Sequence, residues 1–149
     1  MDAKQILKSA RTILVIDWPS KDVPESLARA GFQVIVRGGP GPEDYSAYEL
    51  INGEVVPRRT GRMPDRADII YSHRPLSELP GILDDAKTLH AKTIWLQSGL
   101  AARGVVDPKG CWLPDEDLRQ ATTLAQAAGL TLLTSPYIGD IARELQATP

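Results

Sequence analysis

The hydrophobic positions of the chain fall into short apolar runs separated by stretches with helical spacing. Residues 13–16, Ile-Leu-Val-Ile, form the first run, which is typical of a strand covered on both faces. A helix is predicted for residues 22–30. Asp22 can cap its start, Glu25 can reach back to that cap, and Gly31 suits its end. Strand, loop and helix together indicate the opening of a βαβ unit.

Strands and helices continue to alternate along the chain. Strands are predicted at residues 32–36, 67–71, 92–96 and 130–133, and helices at residues 2–10, 77–90, 114–128 and 138–146. This order predicts an α/β fold, namely a Rossmann-like, doubly wound, mostly parallel five-stranded sheet in a single domain over residues 1–149. The pattern is poor at residues 38–66. A long, variable, turn-rich loop is expected there, in which Val55 and Val56 could add a short strand.

Composition narrows the class of protein further. The chain has 149 residues, which suits one domain, and its net charge of −2 gives no general attraction to nucleic acid or to an anionic membrane. A single cysteine, Cys111, excludes an intrachain disulfide framework and a multi-cysteine metal site. No signal peptide and no membrane-spanning run is evident. We therefore predict a cytoplasmic protein without membrane association, and nothing favours nucleic acid as its partner.

Two segments carry a resemblance to a known family. Residues 68–75 read Asp-Ile-Ile-Tyr-Ser-His-Arg-Pro, and residues 91–100 read Ala-Lys-Thr-Ile-Trp-Leu-Gln-Ser-Gly-Leu. An aspartate before a strand, an Arg-Pro turn, a helix, and a strand ending in Trp-x-Gln-x-Gly resemble the small single-domain CoA-binding Rossmann proteins. That family is related to the CoA-binding domain of succinyl-CoA synthetase α subunits. The resemblance spans roughly residues 5–138, nearly the whole chain.

The resemblance implies a small nucleotide-type ligand, CoA or an acyl-CoA, bound where the parallel strands end. The candidate binding residues follow the first four strands and are Asp17, Trp18, Pro19, Ser20, Lys21, Arg37, Gly38, His73, Arg74 and Gln97. We predict a non-catalytic binding module, with no catalytic residue and no metal site among them.

The first loop departs from the family pattern. The family usually follows its first strand with a glycine and then a serine, whereas this chain has Asp17, Trp18, Pro19 and Ser20. A phosphate about 4 Å from Asp17 would be repelled by about 4 kcal/mol at an effective dielectric near 20, and Lys21 could offset part of this. Asp17 and Ser20 could instead satisfy only loop and helix-end donors. An alternative therefore stays open, in which the protein is a degenerate Rossmann domain that has lost nucleotide binding and serves protein interaction or dimerisation.

Other charged residues allow further interpretations. The arginines of the 38–66 loop could clamp the 3′-phosphate of CoA, or they could form a solvated basic surface. These arginines are Arg58, Arg59, Arg62 and Arg66. An enzyme that uses His73 and Asp17 as acid and base ranks last, because no matched nucleophile is evident. A homodimer also stays open.

Overall fold

One seven-stranded sheet organises the protein in the computed structural model, which describes residues 2–16, 21–38, 44–97 and 113–146. The strands are β1 (Thr12–Ile16), β2 (Gln33–Arg37), β3 (Tyr45–Ile51), β4 (Glu54–Arg59), β5 (Ile69–Ser72), β6 (Thr93–Leu96) and β7 (Thr131–Leu133). The helices are α1 (Ala3–Lys8), α2 (Asp22–Arg29), α3 (Leu79–Leu89), α4 (Asp115–Ala127) and α5 (Ile138–Gln146).

The strand order is β4-β3-β2-β1-β5-β6-β7. The five strands β2, β1, β5, β6 and β7 run parallel, while β3 and β4 are antiparallel. Helices α1, α2 and α5 pack on one face of the sheet, and α3 and α4 pack on the other. The predicted fold class, a Rossmann-like, mostly parallel α/β sheet, is confirmed.

Alternate residues of β1 serve opposite faces of the sheet. Ile13 and Val15 join the core under α2 and α5, whereas Leu14 and Ile16 join the core under α3 and α4. All four are at most 1% exposed. Because side chains alternate along a strand, a run of four apolar residues is what a central strand with two covered faces requires. The first predicted strand therefore lies at the centre of the sheet.

The prediction of a turn-rich loop at residues 38–66 is wrong for most of that range, because β3 and β4 form a hairpin there. Across the described ranges the sheet consequently has seven strands, not five, and the short strand expected at Val55 and Val56 is confirmed as part of β4. Asn52 and Gly53 connect the strands with φ values of 51° and 84°, which are the positive φ angles that a tight hairpin turn needs. Most of β4 is exposed, and Pro57 suits such an edge strand. Because most of β4 is exposed, its sequence shows no apolar–polar alternation that would have revealed the hairpin.

The helices begin and end close to the predicted residues. A single 3₁₀ turn, Leu76–Glu78, leads into α3, and His90 ends that helix in the left-handed region with φ 59°. Within the described ranges, no helix combines the length and apolar character needed to cross a bilayer.

Candidate functional site

The carboxyl ends of the parallel strands meet at one edge of the sheet, which we call the carboxyl rim. Ile16 pairs with Arg37 on one side and with Ser72 on the other, and Ser72 pairs with Leu96. After β1 the chain continues toward β2, and after β5 it continues toward β6 on the other side of the sheet. Open α/β sheets bind ligands in the crevice between two such strands. The residues directly after these strand ends therefore share one surface.

The start of α2 is one wall of the carboxyl rim. Asp17, Trp18, Pro19 and Ser20 were predicted as ligand contacts and lie outside the described residues. Lys21 occupies the N-cap position of α2, where no side-chain hydrogen bond caps the helix in the described part of the chain. The prediction that Asp22 caps the helix is wrong, because Asp22 is the first helical residue and its carboxylate contacts other groups.

Those groups come from α5 and the segment before it. The Tyr137 hydroxyl donates to Asp22 Oδ2 at 2.6 Å, and Arg143 Nη1 donates to Asp22 Oδ1 at 2.8 Å. Ser26, one turn further along α2, also donates to Oδ1, at 3.2 Å. Burial raises the pKa of Tyr137 well above its ordinary value, and the Asp22 carboxylate raises it further. The hydroxyl is therefore a permanent donor, and Asp22 is held on α5.

Gly139 makes this contact possible. A Cβ atom at this position would lie 2.6 Å from Tyr137 Cε2 and 3.0 Å from Asp22 Oδ2. Sequence reasoning missed Tyr137, Gly139 and Arg143 as site residues. The available signal was the position of Tyr137 just after the last strand, since parallel strands end at the same edge.

His73 follows β5 and is fixed by main-chain groups. Its N–H donates to Ile16 O at 3.3 Å, and its ring Nδ1 lies 2.7 Å from Gln97 O. A carbonyl oxygen only accepts hydrogen bonds, so Nδ1 carries the proton in this contact. In the neutral ring Nε2 is then the nitrogen that accepts. His73 thus connects β1, β5 and β6 at the carboxyl rim.

Arg74 follows in the Arg-Pro turn. Its N–H donates to Ser72 Oγ at 3.1 Å, and its Nη2 lies 2.6 Å from Glu78 Oε2. The hydrogen bond from Arg74 lowers the pKa of the Glu78 carboxyl. Both side chains of this pair are more than one third exposed, so the pair contributes little to stability. Arg74 is accordingly a cation that lies at the surface of the carboxyl rim.

Gln97 has a different environment from the one expected of a ligand contact. Its side chain is fully buried, and Nε2 donates to Thr134 O at 3.2 Å and to Pro136 O at 3.1 Å. Its Oε1 accepts from the N–H of Ile138 at 3.2 Å. The amide therefore fixes the segment that leads into α5, while the main-chain carbonyl of Gln97 contacts His73. The predicted ligand contact of the Gln97 side chain stays a prediction.

Arg37 and Gly38 end β2 at the carboxyl rim. The guanidinium of Arg37 lies 3.0 Å from Asp85 of α3, and the N–H of Gly38 donates to Asp44 O at 3.0 Å. Burial lowers the pKa of Arg37, but hydrogen bonds to Tyr45 and Asp85 outweigh it, so the pKa lies above its ordinary value. Arg37 therefore fastens the end of β2 to α3, and its role in ligand binding stays a prediction.

The basic residues of the 38–66 region are divided between the hairpin and the segment after it. Arg58 and Arg59 end the edge strand β4, and Arg58 Nε lies 2.6 Å from Glu49 Oε1. Arg66 lines an open cavity of about 850 Å³ at the amino-terminal edge of the sheet, together with Arg11, Asp65 and Asp68. This cavity lies at the edge of the sheet opposite the carboxyl rim, and its lining includes both positively and negatively charged side chains.

Metal chemistry finds no support in the described ranges, where no three His, Cys, Asp or Glu side chains cluster in a way that could hold an ion. Cys111 lies outside the described residues.

The family follows from a comparison of the sequence with family models. The model of the CoA binding domain matches residues 15–138, which runs from the middle of β1 to the first residue of α5. The chain therefore belongs to the CoA-binding domain family, and this membership supports CoA binding in general. It also confirms the family indicated by the resemblance of residues 68–75 and 91–100.

Comparison with solved structures gives separate support for the fold. No curated protein matches the chain. A solved structure described as cell-free ID.343 from Thermus thermophilus is similar with a TM-score of 0.54 and 20% identity, covering 95% of each chain. At this identity the likeness shows the fold alone.

Proposed function

We propose that the protein is a non-catalytic binding module for CoA or an acyl-CoA, with the ligand at the carboxyl rim. The observation that carries this proposal is the family match over residues 15–138, which covers the end of β1 and all of the other parallel strands of the sheet. The strand order supports it, because the chain diverges between β1 and β5, next to Lys21, His73 and Arg74.

The start of α2 suits the diphosphate of such a ligand. A helix N-terminus attracts anions through its amide groups and its dipole, and Lys21 adds a positive charge there. A carboxylate about 4 Å from a phosphate would oppose binding by about 4 kcal/mol at an effective dielectric near 20. Asp22 is directed to Tyr137 and Arg143, and Arg143, which also contacts Asp140, offsets part of its charge.

His73 and Arg74 supply further polar contacts on the β5 side. Gln97 acts as a positioning residue, because its carbonyl orients the His73 ring and its side chain is enclosed. The partner of Nδ1 is a neutral main-chain carbonyl, which fixes the orientation of the ring that we propose contacts the ligand.

Isothermal titration with CoA and acetyl-CoA tests the proposal. We expect binding by the wild type, and at least about tenfold weaker binding by Lys21→Glu, because charge reversal next to a phosphate costs more than about 1.4 kcal/mol. Lys87→Glu, on the last turn of α3, is the matched control and should change the dissociation constant by less than about twofold.

Absence of binding at millimolar CoA would contradict the proposal. In that case sedimentation equilibrium tests the alternative, a domain that has lost nucleotide binding and serves protein interaction or dimerisation. Equal weakening by Lys21→Glu and Lys87→Glu would place the ligand elsewhere. Turnover of acetyl-CoA by the wild type would refute only the claim that the protein is non-catalytic, and not the claim that it binds CoA.

A further inference from the structure

The contact between α2 and α5 combines three features that together place the Asp22 carboxylate. A carboxylate stands in the first turn of α2, where the helix dipole would hold it over the amide groups. It is instead turned toward Tyr137, which is only 5% exposed. Gly139 supplies the space for this arrangement, because any side chain there would meet both the Tyr137 ring and the Asp22 carboxylate.

We propose that Tyr137 is a positioning residue for ligand binding, which holds the Asp22 carboxylate on α5 and away from the start of α2. This inference rests on the proposed function. Without the hydroxyl, Asp22 loses its 2.6 Å hydrogen bond to Tyr137, and its carboxylate can turn toward the positive end of its own helix, where it competes with the ligand's diphosphate. Tyr137 is therefore a residue that acts through Asp22 and does not itself contact the ligand.

Charged and titratable groups face the Asp22 carboxylate from α5 and from the residue before it. Arg143 donates to Asp22 Oδ1 at 2.8 Å and also to Asp140 Oδ1 at 2.7 Å, so its charge is shared between two carboxylates. Arg143 is 46% exposed, which leaves the buried Tyr137 as the more rigid of the two anchors. Tyr137→Phe removes that anchor and keeps the ring that packs in the core.

Titration calorimetry of four proteins tests the inference: the wild type, Tyr137→Phe, Asp22→Asn and the double variant. We expect Tyr137→Phe to weaken CoA binding about threefold to tenfold, because a mobile carboxylate then competes with the diphosphate. Asp22→Asn should bind CoA at least as tightly as the wild type. The double variant should regain wild-type affinity, because an amide carries no negative charge.

Pantetheine, the phosphate-free part of CoA, separates positioning from general damage. Its affinity should be equal in the wild type and in Tyr137→Phe. Tyr48→Phe, which removes a half-buried hydroxyl on β3, is the matched control and should leave CoA binding unchanged. An equal loss for CoA and pantetheine, a lack of rescue by Asp22→Asn, or wild-type affinity in Tyr137→Phe would each overturn the inference.

A ligand-free measurement distinguishes this inference from the proposed function. Amide hydrogen exchange at Val23 should slow in Tyr137→Phe, since the released carboxylate then covers the first turn of α2, and it should stay at the wild-type rate in the double variant. Unchanged exchange would contradict the inference even if the wild type binds CoA. If exchange at Val23 slows in Tyr137→Phe but no variant binds CoA, the proposed function is refuted. The part of the inference that concerns the movement of the Asp22 carboxylate is then still supported.

Discussion

The Tyr137 hydroxyl donates a 2.6 Å hydrogen bond to the Asp22 carboxylate across a separation of 115 residues. This contact joins the first residue of α2 to the residue before α5, beside the edge at which β1 and β5 end. It directs a negative charge away from the part of the fold where an anionic ligand is proposed.

Gly139→Ala should destabilise the protein, because the new methyl group would lie 2.6 Å from Tyr137 Cε2 and 3.0 Å from Asp22 Oδ2. Overpacking of this kind costs about 1 to 3 kcal/mol, and the better helix propensity of alanine returns only part of it. Urea unfolding should therefore show a free energy of unfolding lower by about 1 to 2 kcal/mol.

Gly81→Ala is the matched control in α3. No atom lies within 4 Å of its added Cβ, so this variant should be as stable as the wild type or more stable by up to about 1 kcal/mol. A Gly139→Ala protein as stable as Gly81→Ala would show that the space at Gly139 is not required.

Gln97→Leu should cost about 2 to 4 kcal/mol in the free energy of unfolding. The substitution leaves the N–H of Ile138 and the carbonyl of Thr134 without their partner in a buried site. Chemical denaturation measures the loss. Gln126→Leu, on the exposed side of α4, should stay within about 0.5 kcal/mol of the wild type. Similar values for the two variants would contradict a structural role for the Gln97 amide.

Asp68 should make stability depend on acid pH. Burial raises the pKa of Asp68, but hydrogen bonds from the N–H groups of Thr12 and Arg11 outweigh it and lower the pKa. A carboxyl whose pKa is lower when folded stabilises the protein above its unfolded pKa of about 3.9, and this stabilisation is lost as pH falls through the folded value.

The wild type should therefore lose more stability than Asp68→Asn when the pH falls from about 5 to about 3, and Asp68→Asn should be less stable near pH 7 by about 1 kcal/mol. Urea unfolding at both pH values checks this difference. Asp84→Asn, on the exposed side of α3, is the control. Parallel pH profiles of the wild type and Asp68→Asn would refute the assignment.

His73→Ala should weaken CoA binding about tenfold if the ring contributes one hydrogen bond to the ligand. The ring is fixed at Nδ1 by Gln97 O, so little entropy is lost when Nε2 binds. Calorimetry with His90→Ala as the control is decisive, because His90 ends α3 at the other edge of the sheet. Equal affinities of the two variants would exclude His73 from the ligand contacts.

The central parallel strands were predictable because they are covered on both faces. Ile13 to Ile16 and Ile94 to Leu96 are buried throughout, and their sequences are apolar without interruption. The hairpin carried a readable signal in Asn52-Gly53, a pair that favours a tight turn with positive φ angles. Pro57 and the exposed positions of β4 obscured that signal, since a half-solvated edge strand needs no regular apolar face.

The sequence predicted where the described candidate residues lie in the fold, but not the contacts that their side chains make. Lys21, Gly38 and His73 follow strands that end at one edge, which strand order alone indicates. The roles of side chains depend on distant partners that a sequence pattern does not reveal. The amide of Gln97 contacts residues 134–138, which the sequence did not indicate, while its predicted ligand contact stays a prediction. Asp22 was predicted to cap a helix, yet it binds Tyr137.

The most direct measurement of the central claim is a titration of the ¹⁵N-labelled protein with CoA, followed by amide chemical shifts. If CoA binds at the carboxyl rim, we expect the largest chemical shift changes at Lys21, Val23, His73 and Arg74. Shift changes confined to the opposite edge, at Arg11, Gln33 and Asp68, or no shift changes at millimolar CoA, would contradict it.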